Sequence, residues 1–109
     1  MSLVTSSSPP HLILSGEVDL SVAPSLRDAG TQMARLVTPG TLEIDLGDVT
    51  FIDSSGLSVI ISHNRRAATE RFRFAVAVGG ARAVERVIDL TGLRTTLTLI
   101  DEPPGLDGA

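Results

Sequence analysis

Short apolar runs and alternating apolar residues predict five β-strands along the chain. A compact apolar run predicts a strand over residues 11–18, and residues 2–5 suit a short edge strand before it. Residues 42–46 alternate between leucine or isoleucine and an acidic residue, which predicts a strand with one face buried and the other face polar or packed at its end. Residues 71–78 alternate and then become wholly apolar, as expected of a central strand, and residues 96–100 supply the last strand.

Three longer segments carry apolar residues at spacings of three and four, which is the pattern of an amphipathic helix. The first helix is predicted to have Ser21 as its N-cap and to stop at Pro39-Gly40. The second is predicted to begin at Ser54 or Ser55, and Gly92 is predicted to end the third. The apolar faces are expected to comprise Val22, Leu26, Ala29, Met33, Leu36 and Val37; Leu57, Ile60, Ile61, Asn64 and Ala68; and Val84, Val87, Ile88 and Thr91.

Turn-forming residues separate these elements. Residues 6–10 predict a turn because they combine three serines with two prolines, Gly47-Asp48 predicts a bend, and Gly79-Gly80 predicts a turn. The predicted order is therefore β-β-α-β-α-β-α-β. This order predicts an α/β fold in which the helices pack on a single mixed β-sheet through right-handed crossovers.

The composition indicates one globular domain over residues 1–109. Hydrophobic residues make up 42% of the chain and charged residues 20%, which suits a core over about residues 3–100. The tail at residues 101–109 is rich in proline, glycine and aspartate and is predicted to be flexible. A net charge of −4 and an aromatic content of 3% disfavour direct binding of nucleic acid.

The chain contains no cysteine, which excludes disulfides, thiolate catalysis and cysteine-ligated zinc. No apolar run approaches the roughly 20 residues that a membrane-spanning helix needs. The first residues lack the basic and apolar stretches of a signal peptide. We therefore predict a cytoplasmic protein without a membrane partner.

The segment Asp53-Ser54-Ser55-Gly56 lies where a predicted strand meets a predicted helix, and the residues alone leave two interpretations open. In the first, one serine N-caps the helix and Asp53 closes the turn. In the second, a serine held beside the unpaired N–H groups of the helix start accepts a phosphate group. The two are compatible, because Ser55 can cap the helix while Ser54 is modified.

Other candidate sites have the wrong spacing or a simpler explanation. His63 is predicted to be a surface residue rather than a catalytic base. Asp45, Asp48 and Asp53 are of the type that binds Mg²⁺, but turns and strand ends collect aspartate for structural reasons. The chain also lacks the spacings of a nucleophile elbow and of a phosphate-binding loop. We therefore predict that the protein is not an enzyme, with no catalytic residues, no metal and no cofactor.

Four motifs together resemble a known family. They are Gly-Glu-Val-Asp at residues 16–19, Ile-Asp-Leu at 44–46, Phe-Ile-Asp-Ser-Ser-Gly-Leu at 51–57 and Val-Ile-Asp-Leu-Thr-Gly-Leu at 87–93. In this order they resemble the STAS domain, and most closely the bacterial anti-sigma factor antagonists. The resemblance covers roughly residues 3–100.

The resemblance implies a partner-switching protein. In that family, the unphosphorylated antagonist binds an anti-sigma factor that is also a serine kinase, and this binding releases a sigma factor. The kinase then phosphorylates the first serine after the aspartate, and a serine phosphatase reverses the modification. On this chain the resemblance implies phosphorylation of Ser54 and a switch loop that also contains Asp53, Ser55 and Gly56. The partner-binding residues that it implies are Asp19, Asp53, Ser54, Ser55 and Leu57.

Members of the family often have a further C-terminal helix, which Pro103-Pro104-Gly105 makes improbable in this chain. An alternative function within the same family is a scaffold subunit of a larger transport or signalling assembly that has no phosphorylation switch. Ser54 would then serve mainly as a helix cap.

Overall fold

The computed structural model describes residues 2–7, 10–37 and 40–100. These residues form a single sheet of five strands together with three α-helices and one short 3₁₀-helix. The strands are β1 (Ser2–Ser7), β2 (Pro10–Val18), β3 (Gly40–Ile52), β4 (Phe72–Ala77) and β5 (Leu99–Ile100), and the helices are α1 (Ala23–Val37), α2 (Ser54–Thr69), α3 (Arg82–Thr91) and the 3₁₀-helix Leu93–Thr95.

The sheet has the spatial order β1-β2-β3-β4-β5. β1 pairs antiparallel with β2, and the strands from β2 to β5 are mutually parallel, with one helix in each crossover. The predicted mixed sheet and the predicted element order are therefore confirmed. Gly92 ends α3 in the left-handed conformation, with φ of 72°, as its sequence position predicts.

The first hairpin is longer than predicted. Ser6 and Ser7 extend β1, and Pro10 begins β2, so the predicted turn over residues 6–10 is wrong at these three positions. Ser7 pairs with Pro10 at the end of the antiparallel ladder. Proline is tolerated at this position because it is the first residue of β2. Ser8 and Pro9 lie outside the described residues, and so does the predicted flexible tail at 101–109.

β3 runs through Gly47-Asp48, where a bend is predicted. Ile13 pairs with Asp45 and Ser15 pairs with Asp48, so β3 contains one extra residue at this point. The Asp45 carboxylate accepts a hydrogen bond from the Gly47 N–H at 2.8 Å, which stabilises this bulge. The bulge keeps β3 within the sheet and allows the strand to continue to Ile52, immediately before Asp53.

The last strand and the first helix also differ locally from the predictions. β5 contains only two residues, because Thr96 and Leu97 donate backbone hydrogen bonds to Leu93 O and complete a tight turn there. Leu36 is 77% exposed, although the helical spacing places it on the apolar face of α1. Val37, which the same pattern places on that face four residues after Met33, is buried as predicted.

The core lies between the sheet and the helices. The side chains of β3 that face it alternate along the strand with Glu43 and Asp45, as the sequence pattern predicts. Of the two alternatives for the second face of β3, Glu43 is packed, since it is only 6% exposed, and burial raises the pKa of its carboxyl group. The most deeply buried large side chains are Leu12, Leu14, Leu26, Leu42, Ile44, Leu46, Ile60, Ile88, His11, His63, Val18 and Val59.

His63 is buried, so its predicted surface position is wrong. Only 1% of the residue is exposed, and its ring lies 6.2 Å from the ring of Phe74, centroid to centroid. The space for the ring comes from Gly30 on α1, where an added Cβ would overlap the imidazole. Burial lowers the pKa of His63, and the positive charge of Arg66 lowers it further.

The lowered pKa of His63 predicts a loss of stability in mild acid. Below about pH 6.5 the ring takes up a proton in the unfolded chain before it does so in the folded chain. The free energy of unfolding should therefore fall as the pH falls, by at most about 1.4 kcal/mol per pH unit from this group. Above that pH the ring is neutral in both states and contributes no slope.

Urea denaturation of the parent and of His63→Gln between pH 7.5 and pH 5 measures this contribution. Glu43 has the opposite linkage, since its raised pKa stabilises the fold at low pH, but it is present in both proteins and cancels in the difference. Parallel stability curves for the two proteins would contradict the prediction.

Candidate functional site

The parallel strands β2 and β3 end side by side and bring two acidic residues to one edge of the sheet. Val18 pairs with Ile52 in the last register position, and Asp19 and Asp53 follow them directly. The Asp53 N–H donates a hydrogen bond to the Val18 carbonyl at 3.1 Å, which ties the two strand ends together. The carboxyl ends of parallel strands are where α/β proteins usually carry their functional groups.

Asp53 is the N-cap of α2. Its backbone is extended, and its Oδ1 atom accepts hydrogen bonds from Ser55 N at 2.9 Å and from Gly56 N at 3.0 Å. The interpretation in which a serine caps this helix is therefore wrong. A carboxylate at the position before the helix accepts charge-assisted hydrogen bonds from two otherwise unpaired N–H groups. The hydrogen bonds that a neutral serine hydroxyl would accept there are weaker.

The two serines of the loop have different surroundings. Ser54 is the first residue of α2 and is exposed, and its hydroxyl has no hydrogen-bond partner among the described residues. Its carbonyl oxygen accepts a hydrogen bond from the Ser58 hydroxyl at 2.7 Å. Ser55 is half-buried, and its N–H is bound by Asp53. Of the two loop serines, Ser54 is the more exposed and therefore the more accessible to a partner.

Gly56 and Leu57 lie on the inner side of the loop. Gly56 is buried, and a Cβ atom at this position would lie 2.7 Å from Val18 Cγ1 and 2.8 Å from Val18 O. Leu57 is 7% exposed and belongs to the hydrophobic core. Of the residues that the resemblance assigns to partner binding, Leu57 is the one whose side chain is directed into the protein.

Asp19 forms a compact turn between β2 and α1. Its Oδ1 atom accepts hydrogen bonds from Ser21 N at 3.0 Å and from Ser21 Oγ at 2.6 Å. The hydrogen bond from the Ser21 hydroxyl is the main cause of the lowered pKa of Asp19. Ser21 is thus a donor to Asp19 and not the N-cap predicted from the sequence, and α1 begins two residues later, at Ala23.

The described residues contain no group of three or more histidine, cysteine, aspartate or glutamate residues that could hold a metal ion. Asp45 and Asp53, two of the three aspartates considered for Mg²⁺, instead accept backbone hydrogen bonds. No helix within the described ranges is long and apolar enough to cross a membrane.

A groove beside the loop carries residues that the sequence analysis did not single out. It has a volume of about 510 Å³ and lies between the end of β3 and α3. Phe51, immediately before Ile52, is 49% exposed in it. The available signal was the alternation at the end of β3, since a residue next to the inward-facing Ile52 is expected to point away from the core.

The hydrogen bonds of Asp53 predict a measurable loss of stability when its side chain is removed. Asp53→Ala should lower the free energy of unfolding by about 1–2 kcal/mol, because two N–H groups lose their acceptor. Asp53→Asn keeps an acceptor oxygen and should lose less. Urea denaturation measures both, with Asp28→Ala on the exposed side of α1 as the matched control. Equal stability of Asp53→Ala and Asp28→Ala would contradict the cap.

Comparison with known proteins gives one family. A family model described as "Mlab, STAS domain" matches residues 1–101. The crystal structure of an anti-sigma factor antagonist from Mycobacterium paratuberculosis has 32% sequence identity and a TM-score of 0.76, and the match covers 98% of this chain and 86% of that chain. No curated protein matches the sequence.

Two more distant structures share the fold. The Thermotoga maritima protein TM1081 has 22% identity and a TM-score of 0.74, with 93% of this chain and 86% of that chain covered. The Bacillus cell fate determinant SpoIIAA, in its phosphorylated form, has 18% identity and a TM-score of 0.60, with 98% and 96% covered.

Proposed function

Because this chain belongs to the STAS domain family, we propose that it is an anti-sigma factor antagonist that is switched off by phosphorylation of Ser54. The observation that carries the proposal is the free, exposed hydroxyl of Ser54 on a helix whose cap is already supplied by Asp53. Since Ser54 has no capping role, its hydroxyl is available to a kinase without loss of a structural hydrogen bond.

The fold tolerates a phosphate on Ser54. It would add roughly −1.5 to −2 charges and three acceptor oxygens at the start of α2. The helix dipole favours this charge by about 0.3–1 kcal/mol, and the carboxylate of Asp53 opposes it. These effects partly cancel, so the fold persists and the phosphate acts on the partner, where an uncompensated buried charge is costly.

The partners of this switch are an anti-sigma factor that is also a serine kinase and a serine phosphatase that reverses the modification. The unphosphorylated protein binds the anti-sigma factor through the edge formed by Asp19, Asp53, Ser54 and Ser55, and this binding releases a sigma factor. The protein acts in the cytoplasm by binding and carries out no catalysis of its own. It contacts neither nucleic acid nor membrane.

Phosphosite mapping tests the proposal. The purified protein is incubated with ATP and each candidate anti-sigma factor kinase of the same genome, and the phosphopeptides are identified by mass spectrometry. A single phosphate on Ser54 is expected, and Ser54→Ala should accept none while Ser55→Ala and Ser58→Ala still do. A phosphate at any other residue, or none with any of these kinases, would contradict the assignment.

A scaffold subunit of a transport or signalling assembly is the second candidate function. It is kept as a candidate because the matching family model is described as "Mlab, STAS domain", which specifies the domain and no antagonist role. In that case the protein should co-purify with the other subunits of a stable complex, and Ser54→Asp should leave the complex intact. A complex that Ser54→Asp dissociates would favour the antagonist.

A further inference from the structure

The groove beside the switch loop has the lining of a protein-binding surface. We call it the Phe51 groove, and it is lined by Phe51, Ile52, Arg82, Ala83, Arg86 and Val87. Phe51 exposes about half of its surface there, at 49%. A half-exposed aromatic side chain next to arginine is typical of the residues that contribute most to protein interfaces.

The charge of the Phe51 groove is opposite to that of the chain. The protein has a net charge of −4, yet both charged residues that line the groove are arginines. The ion pairs found among the described residues are Arg66–Glu70 and Arg94–Asp89, so neither groove arginine is neutralised by one of them. The two acidic residues of α3 both act on Arg94, which lies beyond the helix. Asp89 forms an ion pair with Arg94, and the negative charge of Glu85 also acts on it.

The two groove arginines are placed at a cost to α3. They are four residues apart, so their like charges lie on the same side of the helix and repel each other. Arg82 is also the first residue of the helix, where the helix dipole disfavours a positive charge. A negatively charged partner segment would relieve both unfavourable interactions.

From this lining we infer that the Phe51 groove binds an acidic segment of the anti-sigma factor, with an apolar side chain against Phe51 and carboxylates against Arg82 and Arg86. This inference rests on the proposed function and adds the chemistry of the contact. The groove is continuous with the switch loop, since Phe51 and Ile52 directly precede Asp53.

The same arrangement explains how phosphorylation releases the partner. A phosphate on Ser54 places further negative charge beside the acidic segment, because the groove is continuous with the switch loop. This repulsion weakens the contact with the partner. The release is therefore electrostatic.

Charge reversal tests the contact. Arg82→Glu and Arg86→Glu should each weaken binding of the anti-sigma factor at least about tenfold in Kd, because they place like charges against the acidic segment. Arg65→Glu is the matched control, since Arg65 is exposed on α2 about 16 Å along the helix from Ser54. The affinity of this variant for the anti-sigma factor should stay within about twofold of that of the parent. Isothermal titration calorimetry measures the affinities, and circular dichroism confirms that each variant is folded.

The apolar contact has its own pair of variants. Phe51→Ala should weaken binding about tenfold or more, because an aromatic residue at the centre of an interface is a frequent hot spot. Leu90→Ala removes a side chain that is 80% exposed on α3 but does not line the groove, and it should bind as the parent does.

A double-mutant cycle tests the link to the switch. Ser54→Asp should weaken binding by a smaller factor in the Arg82→Glu/Arg86→Glu background than in the parent, because the two changes act on one electrostatic contact. If the parent binds the anti-sigma factor and the groove variants bind equally well, the groove inference is overturned and the proposed function stands. If the parent binds no anti-sigma factor, both are overturned.

Discussion

Ser54→Asp is expected to bind the anti-sigma factor about 100-fold more weakly than the parent, whereas Ser54→Ala is expected to retain the parent's affinity. The alanine variant loses only a hydroxyl that has no hydrogen-bond partner among the described residues. The aspartate variant adds a charge next to Asp53 on the surface that contacts the partner. A factor of 100 corresponds to about 2.8 kcal/mol, within the cost of like or uncompensated charges in an interface.

The fold should not change in either variant, so the difference can be assigned to the partner surface. Ser54 is the first residue of α2, where a carboxylate is well tolerated by the helix dipole. Gln32→Glu provides a matched control, because it also adds one negative charge at an exposed helical position, on α1. Equal affinities of the two Ser54 variants and the parent would exclude the switch.

The order of the elements was predictable because it depends on local patterns. Alternation at residues 42–46 and the apolar runs at 11–18 and 71–78 each specify a strand by the faces that must be buried. The lengths of the elements depend on partners that a local pattern does not contain. β3 passes through Gly47-Asp48 because β2 pairs with both sides of the bulge, and Pro10 enters β2 because β1 is available to pair with it.

The burial of His63 shows a second limit of sequence reasoning. His63 follows Ile60 by three residues, so the helical spacing already placed it beside the apolar stripe of α2. Its polarity favoured the surface, and the deciding contact is with Gly30 of α1, 33 residues earlier in the chain. Whether a facing helix provides space for an imidazole ring depends on helix packing, which the pattern of one helix does not contain.

The candidate site divides in the same way. Its position follows from the sequence, because a strand and a helix meet at residues 53–56 in any arrangement of the predicted elements. The roles of its residues follow from geometry. The backbone of Asp53 is extended and its carboxylate accepts hydrogen bonds from two N–H groups, so neither serine caps the helix. Of the two serines, only Ser54 is exposed.

Gly56→Ala is expected to lower the free energy of unfolding by about 2 kcal/mol and the melting temperature by roughly 10 °C. The added methyl group would lie 2.7 Å from Val18 Cγ1, 2.8 Å from Val18 O and 3.2 Å from Ile52 Cγ1. A rotation of the Val18 side chain relieves the first contact but not the second, which is with backbone. Alanine stabilises a helix by about 0.5–1 kcal/mol relative to glycine. The steric cost of the added methyl group is therefore larger than the expected net loss of stability.

The same substitution should also reduce binding of the anti-sigma factor. The Val18 carbonyl that the methyl group would displace is the acceptor for the Asp53 N–H, the bond that joins the two strand ends. A shift there moves Asp53 and Ser54 relative to Asp19 and so alters the partner surface. Ser58→Ala in the same helix, where the side chain is exposed, serves as the control and should change stability by less than about 1 kcal/mol. If Gly56→Ala is as stable as the parent, then α2 does not approach β2 as closely as the contacts of Gly56 require. The conclusion that Asp19 and the switch loop are held in a fixed arrangement would then be wrong as well.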